Sequence, residues 1–263
     1  MPHGLELKLG LPLTPVVGAH TRNEWKFQFV TGAGDLDVTP VITRHAGAGT
    51  ATWFWGDGDS DVGDAPTHTY PGVGTYDVVL RIADINAALD EINFNNDGLV
   101  CTLASIPRTV TSILAAGEPD CAITGDLATA PATLVTLRLQ DTDSVITGDL
   151  ATASVTLAYL HLGNTDSVIT GGGAVGCSGI SEIQLQGCGM AQAQMDSIAL
   201  WLYTYRASFT DGTPSMNMGG TNAAPGGLYQ DGDPPTTGKE YIFEVVNDPE
   251  GEGFNVWTVT FTA

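Results

Sequence analysis

The sequence predicts a mainly β protein in which a small β-sandwich is followed by a short solenoid, closed at its far end by one helix and a C-terminal β-hairpin. Three observations predict this fold. Short alternating strands broken by Gly, Asp and Pro fill residues 25–85. A motif that starts at Ile123 recurs at Ile146 and Ile169 with constant spacing, and one long helical stripe covers residues 195–206.

The composition limits the classes of partner. The 263 residues contain 9 Lys and Arg against 30 Asp and Glu, so the formal net charge is -21, while 43% of the residues are hydrophobic and can form a core. The acidic charge repels phosphate groups, so we expect no nucleic-acid partner and no binding to anionic membranes. No apolar run reaches the roughly 18 residues of a transmembrane span. The N-terminus lacks the basic and apolar regions of a secretion signal.

Residues 1–24 contain no evident domain and are predicted to be an N-terminal arm. Leucines alternate with other residues here, as in a strand with one apolar face. These leucines are Leu5, Leu7, Leu9 and Leu11. Such an arm can add to the sheet edge of a neighbouring molecule. It can equally pack as the first strand of the chain's own sandwich, and the sequence leaves both alternatives open.

The strand signals within residues 25–85 are strongest around two tryptophans and in segment 74–82. Alternation with a period of two places Trp53 and Trp55 on one face of a strand. The same period places the apolar residues of segment 74–82 on one face of a later strand. We therefore expect both sets of side chains to form the core of the sandwich.

Three motifs stand in this segment in a fixed order: GDG at 56–58, HTY at 68–70, and a GTYDVVL strand that begins at 74. The GDG motif predicts a tight turn, because glycine reaches positive φ and an Asp side chain bonds nearby amides. Together the motifs resemble the signature of the PKD domain, an immunoglobulin-like module. The resemblance covers segment 25–85. It implies an immunoglobulin-like sandwich that serves as a spacer or binding module on extracellular and viral surfaces, without catalytic machinery.

One acidic loop of the sandwich raises the alternative of a calcium site, since hard cations bind clustered carboxylates. Its carboxylates are those of Asp57, Asp59, Asp61 and Asp64. The loop departs from the EF-hand pattern, because Val62 stands where the turn glycine belongs and His68 where the bidentate glutamate belongs. We expect Asp57 to form the turn and His68 to pack and hydrogen-bond, with no resident metal or cofactor. A calcium-dependent binding module remains the alternative.

The repeat begins with ITGDLAT at 123–129, which returns at 146–152 and begins again as ITG at 169–171. Strands of the form LxxLxL alternate with these motifs. Their apolar residues are Leu134, Leu137, Leu139, Leu157, Leu160, Leu162, Ile180, Ile183 and Leu185. The pattern resembles a leucine-rich repeat, in which each turn stacks on the next because it cannot bury its apolar face alone. We predict a solenoid with a capping helix over residues 86–222.

Small residues recur at two positions of each turn. Thr142, Thr165 and Cys188 share one position, which in leucine-rich repeats satisfies backbone groups. Cys121 shares the other with Ser144 and Ser167. These alignments give the cysteines structural places, and the absence of a CxxC pair argues against a zinc site. We predict free thiols at Cys101, Cys121, Cys177 and Cys188.

The C-terminal third is predicted to close the solenoid. Apolar residues at 195, 198, 202 and 205 form one stripe of a helix. Beyond it, residues 223–263 are predicted to be a β-hairpin cap with strands at 240–247 and 255–262, joined across 248–253.

The sequence contains no motif for catalysis. It has no GxSxG elbow, no P-loop and no GxGxxG that opens a helix after a strand, and its five histidines show no HExxH or HxH spacing. The glycine run 171–173 is expected to be a loop in a repeat turn and not a phosphate-binding loop. We predict a protein without enzymatic activity.

The solenoid offers a sheet face instead of a cleft. Residues between the leucines point outward along each strand. They are Thr136, Arg138, Gln140, Tyr159, His161, Glu182, Gln184 and Gln186. We predict that they bind a protein or a glycan; the alternative is an ordinary solvated sheet. The row that crosses the turns is predicted to contain Asn93, Ala115, Arg138, His161 and Gln184.

The order of the modules resembles that of surface proteins of tailed phages and of bacteria. The resemblance implies a non-enzymatic protein on the virion surface, with capsid decoration or cementing as the first hypothesis and a tail-fibre or host-attachment role as the second. Its partners would be capsid or tail proteins in a homo-oligomer or symmetric assembly, or a protein or glycan of the host surface. The alternative is a secreted bacterial adhesin or filament subunit, located outside the cell or on its surface, that binds protein or carbohydrate.

Overall fold

The computed structural model describes residues 23–32, 36–94, 98–117, 119–174, 176–210 and 212–261. In chain order the strands are β1 (Glu24–Thr31), β2 (Asp37–Val38), β3 (Val41–Arg44), β4 (Thr52–Phe54), β5 (Ser60–Val62), β6 (His68–Thr69), β7 (Gly74–Arg81), β8 (Leu89–Asn93), β9 (Leu99–Thr102), β10 (Ser112–Leu114), β11 (Ala122–Asp126), β12 (Thr136–Arg138), β13 (Val145–Asp149), β14 (Tyr159–His161), β15 (Val168–Thr170), β16 (Glu182–Gln184), β17 (Ser215–Met218) and β18 (Thr258–Phe261). The helices are α1 (Ile85–Ala88), α2 (Gln192–Tyr205) and α3 (Gly238–Asn247). The protein is mainly β, as predicted. Residues 1–22 of the predicted N-terminal arm lie outside the described residues.

Two large sheets run through the whole described chain. The first sheet has the order β15-β13-β11-β9-β1-β7-β4-β5, and the second has the order β18-β17-β16-β14-β12-β10-β8-β3. Strands from β8 onward pair in parallel with their neighbours in each sheet, whereas β1, β3, β4, β5 and β7 pair antiparallel. A small third sheet joins β2 and β6.

The N-terminal strands and the repeat share both sheets. β1 pairs with β9 through Phe29 and Leu99, and β3 pairs with β8. At the first junction Val30 donates its N–H to the carbonyl of Gly98 over 2.8 Å. A Cβ at residue 98 would lie 2.1 Å from the Val30 carbonyl oxygen, so only glycine allows this approach. The stacked turns therefore continue the sheets of the N-terminal strands without a break.

The repeat forms a β-solenoid-like stack, as predicted. In the second sheet Leu137, Leu160 and Ile183 occupy equivalent positions on neighbouring parallel strands, and all three are fully buried. In the first sheet the ITGD motifs form β11 and β13, and β15 carries the third ITG start. Each turn thus buries its leucines against the turns before and after it, which a single turn cannot do.

The N-terminal strands bury the predicted aromatic face. Trp53 and Trp55 are fully buried, and their rings stack with centroids 5.4 Å apart. Gly56 ends this strand at φ 85°, and a Cβ there would lie 2.5 Å from the carbonyl oxygen of Asp77. The GDG turn therefore requires its first glycine both for conformation and for space.

The small residues of the repeat form hydrogen-bonded columns, as predicted. Thr142 donates its hydroxyl to the Leu139 carbonyl over 2.6 Å, and Thr165 makes the equivalent bond one turn later. In the second column Ser144 accepts the N–H of Ile123 over 3.0 Å. These hydroxyls satisfy backbone groups that the turn removes from water.

The four cysteines are buried and free, as predicted. Cys188 donates its thiol to the Leu162 carbonyl, 3.0 Å away, at the position that Thr142 and Thr165 hold in earlier turns. Burial raises the pKa of Cys177 to about 12, so this thiol stays protonated at neutral pH.

The prediction of a C-terminal β-hairpin is wrong. Residues 238–247 form helix α3, and β18 pairs in parallel with β17 instead of with an adjacent antiparallel strand. A capping box begins the helix, because the Glu240 carboxylate accepts the N–H groups of Thr236 and Thr237. The apolar residues of 241–246 also alternate, so the strand and helix patterns compete over this short segment. Packing of the helix against α2 and β18 decides in its favour.

Helix α2 confirms the predicted capping helix and begins three residues earlier than the apolar stripe. Met195, Ile198 and Leu202 are fully buried on one side of it. Within the described ranges no helix combines the length and the apolar character needed to cross a membrane.

Candidate binding face on the second sheet

The outward side of the second sheet carries the eight residues predicted to bind a partner. Strand pairing aligns Thr136, Tyr159 and Glu182 in one row. It aligns Arg138, His161 and Gln184 in a second row. Gln140 and Gln186 follow buried leucines at the ends of their strands, so they lie on the same side. The structure therefore brings the predicted residues together.

The predicted row contains one error. Leu114, not Ala115, pairs with both Asn93 and Arg138, and Ala115 is fully buried. The step along the chain from Leu114 to Arg138 is one position longer than the later steps from Arg138 to His161 and from His161 to Gln184. Counting back from Arg138 with the constant spacing of the later turns therefore reaches Ala115 instead of Leu114.

The face extends beyond the predicted residues onto β17 and β18. At the other end Glu91 and Asn93 of β8 border it. From β10 to β18 the rows are Ser112, Thr136, Tyr159, Glu182, Ser215 and Thr258, and Leu114, Arg138, His161, Gln184, Asn217 and Thr260. We call these two rows, with Gln140 and Gln186, the polar face. It crosses six strands, or about 24 Å at the usual strand spacing. Sequence reasoning missed the β17 and β18 residues, because SMNM and TVTF lack the leucine pattern.

The side chains of the polar face contact one another. The Arg138 guanidinium carbon lies 5.9 Å from the centre of the Tyr159 ring. His161 Nε2 lies 3.2 Å from Glu182 Oε2, and Gln184 Nε2 donates to Glu182 Oε1 over 2.9 Å. These contacts hold the centre of the face in one arrangement.

The polar face carries little charge. Burial, aided by the Arg138 charge and opposed by Glu182, lowers the pKa of His161, so the imidazole is neutral at pH 7. Arg138 and Glu182 are then the only formal charges in the two rows, and they cancel. A chain with a net charge of -21 thus presents, from β10 to β18, a face whose formal charges cancel, with Glu91 of β8 at its border.

Several polar atoms of the face are shielded from water and lack a hydrogen-bond partner among the described residues. They are Arg138 Nε, Gln140 Oε1, His161 Nε2 and Gln186 Oε1. Glu182 Oε2 lies near His161 Nε2, but the geometry is not that of a hydrogen bond. Buried polar atoms of folded proteins nearly always have a partner, and an unpaired one is costly. A bound molecule that supplies a donor to the two glutamine oxygens would remove that cost.

The aspartates of the calcium alternative do not converge. Asp57 Oδ2 lies 2.8 Å from His68 Nε2, and Asp61 Oδ2 accepts the indole N–H of Trp55 over 2.8 Å. The Asp64 carboxylate accepts a hydrogen bond from the Arg44 guanidinium. The backbone N–H of Asp59 donates to Asp57 Oδ1. Each of three carboxylates therefore has a separate protein donor.

His68 packs and hydrogen-bonds as predicted. Its ring stacks on Trp55 with centroids 4.7 Å apart and planes 4° apart. Burial raises the pKa of Asp57, but the Asp59 N–H and His68 outweigh it, and the pKa is lowered overall. The Asp57 carboxylate is thus charged at neutral pH. Its Oδ1 accepts the Asp59 N–H of the turn, and its Oδ2 hydrogen-bonds to His68.

A different acidic cluster lies at the C-terminal end and was missed in the sequence. Carboxylate oxygens of Asp231, Glu244 and Glu250 lie within 4.8 Å of one another. Glu244 is buried, and the N–H of Gly232 donates to its Oε1 over 3.4 Å. Burial raises the pKa of Glu244, and the charges of Glu250 and Asp231 raise it further. Prediction of a strand at 240–247 concealed the cluster, because only helix α3 turns Glu244 inward.

The raised pKa predicts that this cluster destabilises the protein as the pH rises. The folded state holds the Glu244 proton more tightly than the unfolded state, so the free energy of unfolding falls from the usual glutamate pKa of about 4.3 up to the raised pKa. We expect Glu244→Gln to raise the melting temperature at pH 7 and to leave it nearly unchanged below pH 4.

Glu240→Gln provides the opposite control for this prediction. Hydrogen bonds from Thr236 lower the pKa of Glu240, so its contribution is present at neutral pH and is lost as the pH falls. Thermal melts from pH 3 to pH 8 compare the variants. A lower melting temperature of Glu244→Gln at pH 7 would contradict the prediction.

The sequence matches no protein-family model, and comparisons with curated proteins and with solved structures find no significant match. Inference about function therefore rests on the geometry of the described residues.

Proposed function

We propose that the chain is a non-enzymatic binding protein of the outer surface of a tailed-phage virion, which attaches to a capsid protein through its polar face. In this proposal the N-terminal strands are an immunoglobulin-like, PKD-type sandwich and the stacked turns are a leucine-rich repeat. The observation that carries the binding role is a continuous neutral face on a strongly acidic chain. The order of the modules is the reason for placing that role on a virion.

Charge explains why this face suits a protein partner. Interface cores are depleted of charged residues relative to the rest of a protein surface. Repeated copies of a chain with a charge of -21 repel one another and any acidic neighbour. Contact through the polar face removes few charges from water and brings few like charges together. The unpaired oxygens of Gln140 and Gln186 add acceptors for backbone or side-chain donors of the partner.

A charge placed on the face tests the proposal. We expect Thr136→Glu to abolish co-sedimentation of the purified protein with particles of the phage that encodes it, while the fold is retained. The control Thr204→Glu makes the same substitution on the exposed side of helix α2 and keeps full binding. Equal binding of both variants would overturn the role of the face, and the absence of the wild-type protein from particles by cryo-EM would overturn the virion assignment.

Arg138→Ala separates binding from stability. Arg138 lies on the outward side of β12, and its Nε has no hydrogen-bond partner among the described residues, so we expect a change within about 0.5 kcal/mol in the free energy of unfolding. We expect binding to the particle to weaken, because the only positive charge of the two rows is lost. Urea denaturation measures the first quantity and co-sedimentation the second. Unfolding of this variant would mean that β12 has a different register.

A further inference from the structure

The second sheet ends at β18, whose outer edge is open at Val259 and Phe261 among the described residues. β18 pairs with β17 on one side, and no described strand lies on its other side. The Thr258 N–H donates to the Pro214 carbonyl over 3.0 Å, so Thr258 and Thr260 direct their backbone groups toward β17. Alternation along the strand then directs the N–H and C=O groups of Val259 and Phe261 outward, where they can pair with another strand.

The other edges of the two large sheets are protected in the described chain. Helix α2 covers β15, since Gly171 donates its N–H to the Ser197 hydroxyl over 3.2 Å. Beside β3, Ile42 donates its N–H to the Asp64 carbonyl over 2.9 Å. β5 is three residues long and lies in the acidic loop, and both short length and charge discourage edge pairing. β18 is thus the edge best suited to receive a strand.

The region around β18 is acidic. Helix α3 covers the start of this edge, because the Trp257 N–H, on the same outward side as that of Val259, donates to the Val245 carbonyl over 3.0 Å. The acidic cluster of Asp231, Glu244 and Glu250 belongs to this helix and its flanking loops. A strand that carries positive charge therefore matches this edge better than an acidic one.

The N-terminal segment 1–22 has the matching properties. Lys8 and Arg22 against Glu6 give it a charge of +1, so the rest of the chain carries -22. Its alternating leucines give a strand one apolar side, as Val259 and Phe261 do on β18. In the chain the segment leads directly into the N-terminal strands, and among these strands β3 forms one end of the second sheet while β18 forms the other. Complementary elements at opposite ends of one molecule favour head-to-tail contact between copies.

We propose that the N-terminal segment of one copy pairs as an added strand with β18 of the next copy. Strand addition of this kind gains backbone hydrogen bonds from the edge and places alternate side chains against apolar neighbours. Each copy then offers one strand and one edge, so the contact builds chains or closed rings. This inference does not depend on the polar face, and its test uses different variants.

Two full-length variants test the contact: one disrupts the β18 edge and the other disrupts the N-terminal segment. Val259→Pro removes an outward N–H without breaking a bond to β17, and Leu7→Pro interrupts the added strand. We expect the wild-type protein to show at least twice the mass of one chain in sedimentation velocity, and each proline variant to sediment as a single chain. The controls Val259→Ala and Leu7→Val keep the N–H groups and keep the association. Thermal melts show whether each variant is folded. If Val259→Pro does not fold, the comparison of Leu7→Pro with Leu7→Val tests the proposal.

Mixing the two proline variants gives the sharpest result. Leu7→Pro retains an intact edge and Val259→Pro an intact segment, so an equimolar mixture should form a dimer of one copy of each. Wild-type protein that remains a single chain up to millimolar concentration would overturn the proposal. Association that persists in either folded proline variant would overturn it as well, and so would a mixture that forms no dimer. Loss of particle binding by Thr136→Glu leaves all these results unchanged.

Discussion

Replacement of Leu160 by aspartate is expected to unfold the protein at neutral pH. Leu160 lies at the centre of β14 and is fully buried between Leu137 and Ile183 of the neighbouring turns. Loss of a buried leucine alone costs about 2–5 kcal/mol. An unpaired carboxylate in the same place adds several kcal/mol more. The sum approaches the whole stability of an ordinary protein, about 5–15 kcal/mol.

Circular dichroism and urea denaturation measure this effect. The control is Gln184→Asp, which introduces the same charge on the outward side of β16, one turn away. We expect that variant to change the free energy of unfolding by less than about 1 kcal/mol. A folded Leu160→Asp with an unchanged melting temperature would show that Leu160 does not face the interior of the stack.

Asn222→Ala is expected to cause the second largest loss. Asn222 is buried, and its Oδ1 accepts the Met190 N–H over 2.9 Å. Its Nδ2 donates to the Leu185 carbonyl over 2.6 Å and to the Met218 carbonyl over 3.1 Å. Alanine leaves these three backbone groups unpaired, and each unsatisfied buried group costs about 1–3 kcal/mol. We therefore expect a loss of about 3 kcal/mol or more in the free energy of unfolding.

The matched control for this variant is Asn247→Ala. Asn247 is an exposed asparagine at the end of α3, and its loss should change stability by less than about 0.5 kcal/mol. Equal losses in the two variants would mean that Asn222 does not close the last turn. Asn222 lies after the last regular turn and hydrogen-bonds to Leu185 and Met190 of the turn before it. The sequence pattern predicted only a loop at this position.

The stacked turns could be predicted because their signal is local and repeated. Leu137, Leu160 and Ile183 stand at a constant spacing, and only stacking buries all of them. The eight predicted face residues follow from the same spacing, because side chains alternate along a strand. Ala115 was misplaced because the turn from Leu114 to Arg138 is one residue longer than the later turns, and a constant period cannot show that.

The C-terminal cap could not be predicted correctly from alternation alone. Tyr241, Phe243 and Val245 fit a strand, while Ile242 and Val245 fit the buried side of a helix. Thr237 and Glu240 form a capping box that favours the helix, and this signal was present in the sequence. The acidic cluster at Glu244 was hidden by the same error, since only helix α3 turns Glu244 toward Asp231 and Glu250.

By itself the sequence determined the mainly β composition, the stacking of the repeated turns and the outward direction of the residues between the leucines. These properties depend on local periodicity and on burial of apolar side chains, which every copy of the motif repeats. Only the tertiary structure decided that the N-terminal strands continue into both sheets, that the polar face extends to Thr260 and is neutral, and that β18 ends as an open edge. Those properties depend on strand pairing between segments far apart in the chain, where no local pattern states which partner a strand takes.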